Sequence, residues 1–195
     1  MASKEQEFWD WFVQNQATYY NATQDDLELF STLEEQLVKV CKVLTFELSI
    51  VPDTAIKELC ISADGMKSCF PSVIELVRVA PSIPNWKIRA FRQRIHNDNI
   101  LISLDDFSLS YDDVYFLYAQ EKGKISLELY IRNFQNNDHF LGAAFTLLDA
   151  LLGEYDVATQ ISTIEWSLLK EEEIPILSPF ILLRVLVDRN KALKN

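Results

Sequence analysis

Glycine, proline, histidine and cysteine are all scarce in this 195-residue chain, at 4, 6, 2 and 3 residues. Each scarcity argues against a class of function. Phosphate-cradling loops need clustered glycines ahead of a helix, and four scattered glycines make none. Metal centres need several converging His, Cys or carboxylate ligands. Here His96 and His139 are far apart in sequence and the cysteines show no C-x-x-C spacing, so surface or capping histidines are the plainer reading. Nucleophilic catalysis needs a Ser or Cys beside a base and its orienter. No G-x-S-x-G occurs, and Cys41, Cys60 and Cys69 sit in apolar patterns that leave thiols inert. The residues thus nominate no catalytic group, no metal and no cofactor, although distant residues can still build a site in space.

Three cysteines are an odd number, and a chain that can build its own core does not need a disulfide framework. The expectation is three reduced thiols acting as small hydrophobes in a cytoplasmic protein. The opening residues Met1–Glu7 lack a basic stretch followed by an apolar run, so no signal peptide is expected. No window reaches the ~18 uncharged apolar residues of a membrane span; even Leu141 to Leu152 is broken by Asp149. A net charge of −11 weighs against nucleic acid or anionic lipid as a partner. Oligomeric state is left open.

What the chain has is apolar material, 49% hydrophobic and 12% aromatic. That suits one folded domain over residues 1–195, burying roughly 70% of its extended-chain surface. It also has one positive segment. Residues 76–97 carry Arg78, Lys87, Arg89, Arg92 and Arg94 with no acidic residue, while the flanks, 1–75 and 98–195, carry −8 each.

Periodicity predicts an N-terminal helical pair. Ser3 and Gln6 form a capping-box pattern ahead of Phe8, Trp11, Phe12 and Tyr19 at helical spacing. A second helix is predicted over about 25–44, with Leu33, Leu37, Val40/Cys41 and Leu44 on one face. Alternating residues 45–50 read as a strand with a hairpin partner at 59–61, followed by a short helix 72–80. Further strands are predicted at 86–94 and 100–104, a hairpin at 114–121 and 125–132, and a strand at 161–168. A helix capped by Asp138 spans 139–152 and ends at Gly153. Ser178-Pro179 would cap a final helix 180–193, although Phe180–Leu183 and Val185–Val187 also fit a buried strand. Short turns between strands imply α+β architecture: a mainly antiparallel sheet with helices packed on one face. No internal repeat or linker is visible.

Three clusters compete for function. Glu154 and Asp156 lie in Gly153-Glu154-Tyr155-Asp156, predicted as an acidic loop at a helix C-terminus, the unfavourable end of the dipole. The aromatic stretch Phe8-Trp9-Asp10-Trp11-Phe12 is either core or partly a docking surface. On the basic strand, alternation places Lys87 and Arg89 on one face and Trp86, Ile88 and Ala90 on the other, with Arg92 and Arg94 near the strand end. Lys87, Arg89, Arg92, Arg94, Glu154 and Asp156 are therefore the candidate ligand- or partner-binding residues. The competing reading is internal: cross-strand pairing of the cations with Glu47, Glu128 or Glu165.

The Phe8-Trp9-x-Trp11-Phe12 opening resembles a group of uncharacterised bacterial proteins. So do Ala63-Asp64-Gly65, Ala80-Pro81, Trp86-x-Ile88-x-Ala90-Phe91-x-Gln93 and Leu152-Gly153-Glu154-Tyr155-Asp156. The resemblance implies bacterial cytoplasmic origin and carries no activity, cofactor or site residue. The expected function is a non-enzymatic protein-interaction module, similar in composition to immunity or accessory proteins that neutralise a basic toxin partner. The alternative is an enzyme or small-molecule binder that takes an anionic ligand on strand 86–94, with Glu154, Asp156 or His139 as acid/base groups.

Overall fold

Helix α1 (Lys4–Tyr20) starts as its sequence predicts, with the Ser3 hydroxyl accepting the Gln6 N–H at 3.2 Å. It pairs with α2 (Leu27–Val40), which stops at Val40 because Cys41 is extended. The computed structural model describes residues 2–104 and 107–193. It divides into two compact units, Met1–Arg92 and Gln93–Asn195. The class is α+β, with mainly antiparallel pairing and an N-terminal helical pair.

In the first unit β1 (Thr45–Ile50) pairs antiparallel with β2 (Lys57–Ser62). Helix α3 (Phe70–Arg78) then crosses over to β3 (Trp86–Ala90), which lies parallel to β2. A helical crossover is what a parallel neighbour requires. Central β2 is buried on both faces: Leu59 and Ile61 are fully buried and Cys60 nearly so. Helix α1 packs its aromatics against the sheet face that carries Trp86, whose ring meets Phe12 at 5.1 Å. The Trp9 indole donates to the Leu76 carbonyl at 2.7 Å, tying α1 to α3. Phe8, Trp9, Phe12 and Tyr19 are therefore core.

The predicted strand 86–94 ends early, at Ala90. Phe91 adopts φ 65°, unusual for a bulky residue, while its N–H still bonds the Ile61 carbonyl at 2.8 Å. This turn brings the Phe91 ring against Phe70 at 4.5 Å.

The expectation of three reduced thiols is overturned. Cys41, just past α2, is disulfide-bonded to Cys69 before α3, with Cα atoms 6.3 Å apart; Cys60 is buried and takes no part in the disulfide. Sequence spacing could not show it, because the bond joins two helix ends that only the fold brings together.

In the second unit β4 (Leu101–Leu104) and β5 (Phe107–Ser110) form a separate ribbon. The main sheet has the order β8-β7-β6-β9, from β6 (Val114–Glu121), β7 (Lys124–Ile131), β8 (Ile161–Leu168) and β9 (Ser178–Pro179). Between β7 and β8 run α4 (Asp138–Leu152) and α5 (Glu154–Gln160), and β8 is again parallel to its neighbour. Both units thus repeat one topology: a hairpin, a helical crossover, and a third strand parallel to the second. The inward residues Ile125, Leu127, Leu129 and Ile131 form one core with Leu147, Leu148 and Leu151 of α4 and with Leu183 and Val187 of α6 (Leu183–Ala192).

Three local expectations shift. Asn137, rather than Asp138, caps α4, its side-chain oxygen accepting the Phe140 N–H at 2.8 Å. Ser178-Pro179 is a two-residue strand on β6, followed by one 3-10 turn before α6. The acidic loop is instead the first turn of α5, because Gly153 at φ 86° ends α4 and immediately starts another helix.

Candidate functional site

The basic island is met by carboxylates within each unit. Glu58 lies opposite Lys87 in the β2/β3 register, so both project from the sheet face away from α1. Lys87 Nζ is 2.9 Å from Glu58 Oε2, and Arg89 Nε is 3.3 Å from the same oxygen. Lys87 and Arg89 do share a face, as alternation implied; their partner is Glu58 on β2, which is none of the nominated Glu47, Glu128 and Glu165. Arg92 Nε reaches Glu47 Oε1 at 2.5 Å and its Nη2 reaches Asp64 Oδ1 at 2.7 Å. Burial works against the Arg92 charge, but these two carboxylates outweigh it and raise the pKa further. Arg78 pairs with Glu75 on α3 at 2.6 Å.

Arg94 belongs to the second unit. Its two terminal nitrogens bind Asp188 of α6 at 2.9 and 2.8 Å in a fork, the strong geometry for this pair. That fork holds the Asp188 carboxyl below its ordinary value. Asp156 lies 3.8 Å from Arg94 and accepts from Lys191 Nζ at 2.9 and 2.7 Å. Its position in the first turn of α5 is electrostatically favourable, the reverse of what the loop reading implied. Glu154 is 1% exposed, inside the unit rather than on a binding loop. His139 packs its ring edge-on to Phe107 at 5.9 Å.

The six candidates therefore fall into separate arrangements. Lys87 and Arg89 share one carboxylate, Arg92 joins β1 to the Asp64 turn, and Arg94 with Asp156 ties the start of the second unit to α5 and α6. Among the described residues no group of three or more His, Cys, Asp or Glu side chains is placed to hold a metal ion, and no helix is long and apolar enough to cross a membrane.

A different surface emerges in the second unit. The main sheet packs its helices against the inward side chains, leaving Tyr115, Leu117, Glu128, Tyr130, Glu165 and Ser167 on the other face. In the β7/β8 register Glu128 stands directly opposite Glu165. Like charges directly opposed across strands are destabilising. Glu128 accepts from the Ser167 hydroxyl at 3.3 Å and from the Tyr130 phenol, both neutral donors, and among the described residues no cation pairs with Glu128 or Glu165. Desolvation raises the Tyr130 phenol pKa, and Glu128, Glu173 and Glu165 raise it further. Alternation within 125–132 is enough to put Ser126, Glu128, Tyr130 and Arg132 on one face, but it does not reveal that β8 runs parallel to β7 and brings Glu165 alongside.

No protein-family model matches the chain, and no curated protein or solved structure shows significant similarity to it.

Proposed function

We propose that this protein is a non-enzymatic interaction module that binds a basic protein partner through the open sheet face of its second unit. The single observation that carries the proposal is the Glu128–Glu165 opposition on a face that also presents Tyr115, Leu117 and Tyr130. Two unneutralised carboxylates cost the free protein stability that a cationic partner restores. Tyrosines beside them supply the rigid contact area that interfaces favour. The second unit carries 9 basic and 16 acidic residues, a net −7 that steers cations toward it. A partner-neutralising or accessory role fits this chemistry.

The test is affinity capture from the source cells with wild type and a Leu117→Lys/Glu165→Lys variant of unchanged circular dichroism. Wild type captures a basic protein in stoichiometric amount and the variant loses it. An identical captured set, or an acidic partner, overturns the reading. Lys87→Glu with Arg89→Glu is run in parallel: capture lost there and kept in the face variant would move the site to the basic strand.

A second reading has one observation behind it. Lys87 and Arg89 share a single carboxylate, which leaves one positive charge in excess, and both are more than a third exposed. An anionic ligand would bind there, and a calorimetric titration with inorganic phosphate, wild type against Lys87→Ala, tests it; equal heats in both sink it. Cytoplasmic location belongs to the same set of proposals. Its premise of three thiols is gone, and a disulfide is typical of oxidising compartments. Thiol trapping in intact source cells decides it: a bonded Cys41–Cys69 in the trapped protein argues against the cytoplasm.

A further inference from the structure

Strand β8 ends the main sheet of the second unit; seven of its eight residues are in register with β7, and among the described residues no other strand pairs with it. A strand at a sheet edge presents unpaired N–H and C=O groups along one side. Proteins ordinarily blunt such an edge with lysine, proline or a bulge. Ile161–Leu168 contains neither lysine nor proline, and its single register shift lies at its start, opposite Ile125/Ser126. The edge is long, regular and undefended.

The two faces beside that edge differ in chemistry. On the helix side, Ile164, Trp166 and Leu168 follow the inward parity of β7, but the sheet ends there and they are incompletely covered. Leu168 is 53% exposed, and Phe145 of α4, 43% exposed, meets Trp166 edge-on at 5.1 Å. On the opposite side lie Thr163, Glu165 and Ser167, with Glu128 one strand further in.

We infer that β8 receives an extended segment of a cationic partner as a fifth strand, with apolar residues over Ile164, Trp166 and Phe145 and alternating Lys or Arg beside Glu165. This rests on the interaction reading above and specifies the partner's binding element. Main-chain bonds to the edge supply affinity, and alternate side chains supply specificity. The charge pattern selects the occupant. A second copy would join two chains of net charge −11, and in the antiparallel register centred on Glu165 it would set Glu165 against Glu165. A basic strand instead neutralises the Glu128–Glu165 pair.

The test uses the full-length protein and synthetic peptides of about ten residues, long enough to cover an eight-residue edge. The probe alternates lysine and valine. Its controls are the same composition in two blocks, the alternating peptide N-methylated along one edge, and a glutamate–valine version. Amide hydrogen exchange across residues 161–168 is the readout. The alternating lysine peptide slows exchange at alternate β8 amides, and the three controls bind at least about tenfold more weakly. Glu165→Lys, an exposed substitution, reverses the preference between lysine and glutamate peptides.

Equal binding by the block or N-methylated peptide overturns strand addition, since charge alone would suffice. Absence of β8 protection with every peptide also overturns it. Protection without peptide, accompanied by a concentration-dependent dimer mass, assigns the edge to a second copy and overturns the cationic partner. The two readings fail separately. If the Leu117→Lys/Glu165→Lys variant loses its captured partner while peptides leave β8 unprotected, the open face stands and strand addition falls.

Discussion

At the scale of single residues, Lys57 shows how a charge becomes structural. It opens β2 with its side chain on the α1 side, 8% exposed, and Nζ donates to the carbonyls of Tyr19, Tyr20 and Ala22 at 2.8, 3.1 and 3.1 Å. Those acceptors lie at and just past the end of α1, where helices leave carbonyls unsatisfied and favour cations. Burial lowers the Lys57 pKa, partly offset by Asp26. Lys57→Met keeps the stem and removes the donors, and should cost about 1.5–3 kcal/mol in urea unfolding, the range for hydrogen bonds to a charged group. The pH dependence has a definite sign. With the folded-state pKa below 10.5, the unfolded chain binds more protons between the two values, so stability rises with pH through that interval. The wild-type curve should climb relative to Lys57→Met as pH approaches the ordinary lysine value; parallel curves would refute the shift. Nothing in the sequence around residue 57 announced this role, because its acceptors lie some three dozen positions upstream.

At the scale of elements, local pattern was legible where the chain's neighbours in sequence are its neighbours in space. The capping Ser3, the 114–121 hairpin and the Gly153 helix end all depend on residues a few positions apart. The parallel pairings were not legible, since alternation in 86–90 or 161–168 is the same whichever way the partner runs. That ambiguity hid the Glu58 partner of Lys87 and the Glu128–Glu165 opposition. The Cys41–Cys69 bond is invisible for the same reason. It closes a separation of 28 residues between α2 and α3, and such links typically contribute 2–4 kcal/mol, about 3 for a loop somewhat shorter than this. Cys41→Ser with Cys69→Ser should lower unfolding free energy by that order. Reductant should destabilise wild type and leave the double variant unchanged, and thiol titration of denatured wild type should find one free thiol before reduction and three after. Three thiols before reduction would refute the bond.

At the scale of the whole molecule, the net charge of −11 is unevenly shared: 9 basic and 13 acidic residues in Met1–Arg92, and 9 and 16 in Gln93–Asn195. The basic island that dominates the sequence straddles that boundary, and its cations are distributed among local ion pairs on both sides. The positive peak of the charge profile therefore spans the boundary between the two units and does not mark one continuous patch. Each unit has its own sheet, crossover helix and buried core, the features that let a domain fold by itself. Residues 93–195 expressed alone should then unfold cooperatively in urea and retain the dispersed methyl resonances of a packed core. Acid adds an internal check. Arg94 depresses the Asp188 pKa, so that pair's contribution is present above the unfolded aspartate value and is lost as pH falls through the lower folded one. The isolated fragment should show this acid-side loss, and Asp188→Asn should flatten it. A fragment with no cooperative transition would instead support the single domain over residues 1–195 that composition suggests.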